Sequence, residues 1–208
     1  MASARENADR IVEAVLALPQ KEGRRLIAIA GPPASGKTTA ADLVHEQLNA
    51  QGIRAGLLPM DGFHMDNADL DALGLRARKG APETFLREAF HALLRDLAAG
   101  KTVSAPAFDR VHDRTVAGAR EIGEAEHFVV VEGNYLLLDE PGWREIAALW
   151  DFSVFFSEPL EVLEARLIQR WLDHNHAPEG AKRRVAFNDL PNAKRILEHR
   201  LPASLVLS

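Results

Sequence analysis

The chain has 208 residues, of which 47% are hydrophobic and 26% charged, the balance of an ordinary globular protein with one well-buried core. Cysteine is absent, which removes disulfides, thiolate metal sites and a thiol nucleophile. A net charge of −5 argues against a nucleic-acid duplex as partner, and no apolar run is long enough to cross a bilayer, so the expectation is a single cytoplasmic domain, residues 1–208, with no membrane or nucleic-acid partner.

Ser3 to Leu18 mixes Arg5, Glu6, Asp9, Arg10 and Glu13 with Ile11, Val12, Val15 and Leu16, an amphipathic helix pattern that Pro19 and Gly23 would end. Leu26 to Ala30 is an apolar run feeding a Gly/Pro-rich turn, which reads as a buried strand followed by a loop. Thr38 to Ala50 has helical spacing with Gly52 placed as a C-cap, and Ile53 to Pro59 is a second strand. Met60 to Ala81 is polar and rich in glycine, arginine and lysine, a long loop of functional character. Pro82 to Ala99 is expected to be one helix, and Val103 to Arg114 a short strand running into a polar loop. His127 to Val131 is a third buried strand, Gly142 to Leu149 is expected to be helical, Phe152 to Ser157 is a fourth strand, Pro159 opens a long helix, and Ser204 to Leu207 is a fifth strand. Apolar strands alternating with amphipathic helices predict a three-layer α/β/α sandwich around a five-stranded parallel sheet.

Gly31-Pro32-Pro33-Ala34-Ser35-Gly36-Lys37-Thr38-Thr39 matches G-x-x-x-x-G-K-[ST], and it falls between a strand and a helix as the chemistry demands. Glycines let the backbone wrap phosphate oxygens while successive amides and the helix N-terminus supply a positive field. Pro32 and Pro33 cannot donate hydrogen bonds, but they precede the amides needed most, those of Ser35 to Thr39. The pattern predicts Gly31, Ser35, Gly36, Lys37, Thr38 and Thr39 around a nucleoside triphosphate, ATP by default, with Lys37 on the β and γ phosphates and the Thr38 hydroxyl on Mg²⁺. Lys37 is expected to face solvent in the empty cradle.

In an open parallel sheet, ligands bind beyond the carboxyl ends of the strands. Asp61 and Glu132 each follow an apolar strand directly, so both are candidates. Phosphoryl transfer to an alcohol needs a carboxylate that orients or deprotonates the acceptor hydroxyl and one near the metal. Asp61 is assigned the first role and Glu132 the second.

These segments, together with Met60-Asp61-Gly62-Phe63-His64, Arg78-Lys79-Gly80-Ala81-Pro82-Glu83-Thr84-Phe85 and Val131-Glu132-Gly133-Asn134-Tyr135, resemble the uridine kinase, pantothenate kinase and phosphoribulokinase group. Within it the chain is most similar to kinases named for fructose transport systems. The resemblance implies a sheet order of 2-3-1-4-5, an acceptor-site insertion over about 62–114 and a lid over about 166–190. It implies that Asp61 adjoins the acceptor hydroxyl, that Phe85 and Phe108 belong to the acceptor pocket, and that Arg166 and Arg170 close over the phosphates, Arg170 as a catalytic group. Relatives carry an acid after the phenylalanine of the Pro82 to Phe85 motif, which in uridine kinases holds the ribose hydroxyls; Leu86 stands there in this chain.

His64, Arg78, Lys79, Arg110 and His112 are polar candidates for the acceptor site. The expected activity is ATP- and Mg²⁺-dependent phosphorylation of a small-molecule hydroxyl, with a sugar favoured by Leu86, a nucleoside or pantothenate-like alcohol as the alternative, and a nucleotide-binding switch as a third reading. A missing guanine-type Asn-Lys-x-Asp motif counts against the switch. Asp109 or Asp113 could replace the missing acid, and a homodimer is one expectation for the oligomeric state.

Overall fold

The computed structural model describes residues 2–208. Helix α1 (Ala4–Leu16) begins at a reciprocal cap: the Ser3 hydroxyl accepts from the Glu6 amide, and the Glu6 carboxylate accepts from the Ser3 amide. The remaining elements are β1 (Arg25–Ala30), α2 (Lys37–Ala50), β2 (Ala55–Pro59), α3 (Asn67–Ala72), α4 (Arg87–Ala98), β3 (Val103–Asp109), β4 (Arg114–Ile122), β5 (Phe128–Gly133), β6 (Phe152–Phe156), α5 (Leu160–Asp173), α6 (Pro178–Arg184), α7 (Leu190–Glu198) and β7 (Leu205–Leu207).

Five strands form a parallel sheet in the order β2-β5-β1-β6-β7, which is 2-3-1-4-5 when the strands of this sheet alone are counted. Alternation along the strands divides the core in two. Leu26, Ala28 and Ala30 face α4 and the aromatic residues Tyr135 and Trp143, whereas Ile27 and Ile29 face α1 and α2 through Ile11, Val15, Ala41 and Val44. Every residue of β1 is buried, as a central parallel strand covered on both faces must be. The carboxyl ends of β1, β2 and β5 therefore open onto one edge of the sheet, and the site lies there.

Four expectations are corrected. The long loop expected over Met60 to Ala81 contains the helix α3 and 3-10 turns over Met60–Phe63 and Arg76–Arg78. The predicted helix from Pro82 to Ala99 is interrupted: Pro82–Thr84 is a 3-10 turn, and Phe85 is extended because it bridges His64 while the Leu86 amide donates to the Phe63 carbonyl at 2.7 Å. Tertiary pairing overrides helix propensity there. The polar loop expected after Val103 is instead a hairpin, with β4 antiparallel to β3 and bulged where Gly118 takes φ +62°. Gly142 to Leu149 contains a 3-10 turn over Arg144–Leu149 and no α-helix. Among the described residues no helix is long and apolar enough to cross a membrane.

Candidate active site

The turn between β1 and α2 is built around close approaches. A Cβ on Gly31 would fall 2.8 Å from the Ser35 hydroxyl and 3.0 Å from the Phe156 carbonyl, so only glycine lets the chain leave β1 beside β6. Gly36, the N-cap of α2, has φ +91°, and Ala34 is also left-handed at φ +65°. The first-turn amides of α2 have no carbonyl of their own helix to bind and face a cavity of about 590 Å³, lined on this side by Gly36, Lys37, Thr38 and Thr39.

Glu132, from the end of β5, closes one wall. It is only 3% exposed, and its Oε2 accepts from the Thr38 hydroxyl at 3.1 Å. Lys37 is 8% exposed, with its ammonium 3.5 Å from the Pro32 carbonyl, which corrects the expectation that it faces solvent. Burial pushes the Glu132 carboxyl up and the Lys37 ammonium down, and each charge partly holds the other in its ionised form. A hydroxyl beside a carboxylate is a hard oxygen donor pair, which suits Mg²⁺ completed by phosphate oxygens and water. Among the described residues no three His, Cys, Asp or Glu side chains cluster as a metal cage, so Thr38 and Glu132 are the groups that could hold such an ion.

Asp61 follows β2, the strand paired with β5. Arg110, from the hairpin, donates to Asp61 Oδ2 at 2.7 Å. Asp61 Oδ1 has only His64 Nε2 at 3.9 Å, beyond hydrogen-bond reach, and remains open to an incoming donor. His64 stacks on Phe85 at 4.1 Å and lies 4.8 Å from Phe108. Burial pushes its imidazole down to about 4, against the opposing charge of Asp61, so it is neutral at pH 7. Lys79, Phe108, Arg110 and Asp113 also line the cavity, as does Arg170, which lies within electrostatic reach of Arg110 and Asp61.

Several predicted site residues do other work. Gly31 and Ser35 shape the turn without lining the cavity. Phe85 lies behind the site, in an aromatic cluster with Tyr135 and Trp143, and sets the angle of His64. Arg78 points away, donating to the Phe187 carbonyl and to Asn192. His112 is exposed and bound to Asp109. Arg166 braces the cradle from behind, donating to the Ala34 carbonyl at 3.2 Å and to Glu158 at 3.1 Å. Leu86 is 43% exposed at the start of α4 and does not line the cavity, so it cannot be the surface against which an acceptor is desolvated. Of the two acids that could replace the missing one, Asp113 lines the cavity and Asp109 does not.

Asn134, Trp171, Arg184, Asp189 and Asn192 also line the cavity and were not singled out from the sequence. Asn134 had a usable signal, since it follows Glu132 by two residues at the end of β5 and its buried Oδ1 has no partner. Asp189 had none: it ends a π-helical turn over Val185–Asp189, and only the fold brings it to Trp171, whose indole donates to it at 2.5 Å.

The phosphoribulokinase / uridine kinase family model matches residues 26–187, a span that contains the cradle, Asp61, the hairpin, Glu132 and Arg170. The chain belongs to this family. It is a small-molecule kinase with a P-loop nucleotide site. A Silicibacter sp. TM1040 protein provisionally named a fructose transport system kinase has a crystal structure that superposes with a TM-score of 0.91 at 44% identity, covering 100% of both chains. The kinase is 36% identical to the uncharacterized protein YggC of Escherichia coli (strain K12) over 91% of this chain and 78% of that one. It is 28% identical to a provisionally named uridine kinase, C227.14, of Schizosaccharomyces pombe, over 96% of this chain and 89% of that one.

Proposed function

We propose that this kinase transfers the γ-phosphoryl group of ATP, with Mg²⁺, to a hydroxyl of an uncharged polyol, a sugar or a close relative of one. The observation that carries the reading is Asp61, which faces the same cavity as the cradle with Oδ1 unengaged.

In this reading the α2 amides and Lys37 hold the β and γ phosphates, and Arg170 meets the charge that develops on the transferring group. Thr38 and Glu132 hold the metal, which when bound would offset phosphate charge and fix its geometry. Asp61 Oδ1 accepts the hydrogen bond of the acceptor hydroxyl, orients it in line with the γ-phosphorus and takes its proton as the bond forms. Arg110 holds Asp61 in place from its other oxygen.

Charge balance at the acceptor end supports an uncharged substrate. Arg110 is paired with Asp61, Lys79 is paired with Asp113 at 2.7 Å, and His64 is neutral, which leaves Arg170, assigned here to the phosphates, and Arg184 as the lining cations without a carboxylate partner among the described residues. The similarity to a protein named for fructose transport points the same way. The whole chain is read as one unit, supported by the packing of α1 into the core beside α2.

The test is ADP release from Mg²⁺·ATP over a panel of hexoses, pentoses, sugar alcohols, nucleosides and pantothenate. An uncharged sugar or polyol should have the highest kcat/KM. A nucleoside or a carboxylic acid best by about tenfold, a difference of about 1.4 kcal/mol, would overturn the acceptor assignment.

A further inference from the structure

Residues 77–80 lie between the two halves of the cavity, and their polar groups are divided between them. On the lid side, Arg184 donates to the Ala77 carbonyl at 3.1 Å and to the Lys79 carbonyl at 3.3 Å. Asn188 donates to the same Lys79 carbonyl at 2.9 Å, and Arg78 returns a bond to the Phe187 carbonyl. Below, the buried Tyr135 hydroxyl donates to the Gly80 carbonyl at 2.5 Å and ties the segment to the end of β5.

On the hairpin side, the Lys79 ammonium commits all its donors to protein. It binds Asp113 Oδ1 at 2.7 Å, the Asp113 carbonyl at 3.2 Å and Asn67 Oδ1 at 2.8 Å, and it lies 5.0 Å over the Phe108 ring. An ammonium has three hydrogens, so none is left for a substrate. Asp113 is left-handed at φ +51°, a turn conformation that aspartate tolerates, and Asn67 donates to its carboxylate at 2.8 Å as well. Among the described residues, Lys79 is therefore the one bonded to both sides, by its carbonyl to the lid and by its ammonium to the hairpin that carries Phe108 and Arg110.

We propose that Lys79 is a positioning residue that couples nucleotide binding to the acceptor site: when the lid settles on bound nucleotide, the 77–80 segment is held in place and fixes the hairpin, and with it Arg110 against Asp61. The coupling rests on the kinase reading above. It requires that nucleotide alone, with no acceptor present, order the hairpin tip through Lys79.

Hydrogen–deuterium exchange on the intact protein, with and without Mg²⁺ and the β,γ-imido analogue of ATP, tests this. In the wild type the analogue should slow exchange at 36–39, at 184–189 and, by about tenfold, at 109–114. In Lys79→Met the first two regions should still be protected, while protection at 109–114 falls below about twofold. Asp113→Asn, which weakens the same clasp from the hairpin side and keeps its shape, should behave likewise, and Lys79→Arg should restore part of the effect. Hairpin protection equal in wild type and Lys79→Met, or absent in the wild type while 36–39 is protected, would overturn the coupling. No protection at 36–39 in the wild type would instead overturn the kinase reading, and the coupling with it.

Discussion

Arg110 Nη2 and Asp61 Oδ2 are 2.7 Å apart although 49 positions separate them in the chain, and this contact leaves one carboxylate oxygen of Asp61 for the acceptor. Asp61→Asn preserves the shape and removes the charge. We expect kcat to fall about 10²- to 10⁴-fold, with little change in nucleotide affinity. Steady-state kinetics with a nucleotide-binding titration would check this, and lost binding of Mg²⁺·ATP with unaltered turnover at saturation would exchange the roles of Asp61 and Glu132.

Lys37→Met should abolish turnover and also change stability, because Lys37 is buried beside Glu132. Removing the lysine leaves the buried Glu132 carboxylate without the positive charge that offsets it, which destabilises the fold. Burial already raises the Glu132 carboxyl, and losing the lysine raises it further. Such a group binds more protons folded than unfolded, so the contribution of Glu132 is fully present below its unfolded value and declines as pH rises through the raised value. Urea midpoints from pH 4.5 to 8 would show the gap to wild type widening; a constant gap would contradict it.

His64 has the opposite sign. Its unfolded value is about 6.5 and its folded value about 4, so between them the unfolded chain takes a proton that the folded chain refuses. Stability present at pH 7 should be lost as pH falls through this window, up to about 3 kcal/mol. His64→Gln cannot titrate. Its deficit relative to wild type should narrow from pH 7 to pH 4.5, and parallel stability curves would refute the assignment.

Gly62→Ala should displace the hairpin. The added Cβ would overlap the Pro106 carbonyl of β3, which is backbone and cannot swing aside. Overpacking of this kind costs about 1–3 kcal/mol, and because β3 leads to Phe108 and Arg110, the acceptor KM should rise with the nucleotide KM little changed. Gly180→Ala in α6, where a Cβ meets nothing within 4 Å, is the control and should be neutral or slightly stabilising. Equal effects at the two positions would count against the steric argument.

The parts of this protein legible from sequence are those set by local chemistry. The cradle is a contiguous pattern whose function comes from its own backbone amides and the helix it opens, so Gly31 to Thr39 could be read directly. Asp61 and Glu132 were legible because an acid at the end of a buried parallel strand has one direction to face. The central strands β1, β5 and β6 announced themselves as apolar runs, since a strand covered on both faces has no polar side to confuse the pattern.

Tertiary structure decided the rest. Strand β4 is almost wholly exposed and carries no apolar run, so its pairing with β3 left no mark in the pattern. Arg78 and Lys79 are adjacent and alike in charge, yet one reaches Asn192 and the other Asp113, because neighbouring side chains on a bent segment point in different directions. Leu86 looked like a lost ribose contact and proves to be an exposed residue at a helix start. Asp189 enters the cavity from the far end of the chain, through a π-turn between two helices. Spacing along a sequence fixes which face of one element a residue occupies; which groups meet across a cavity depends on how separate elements pack, and that is set only when the whole core closes.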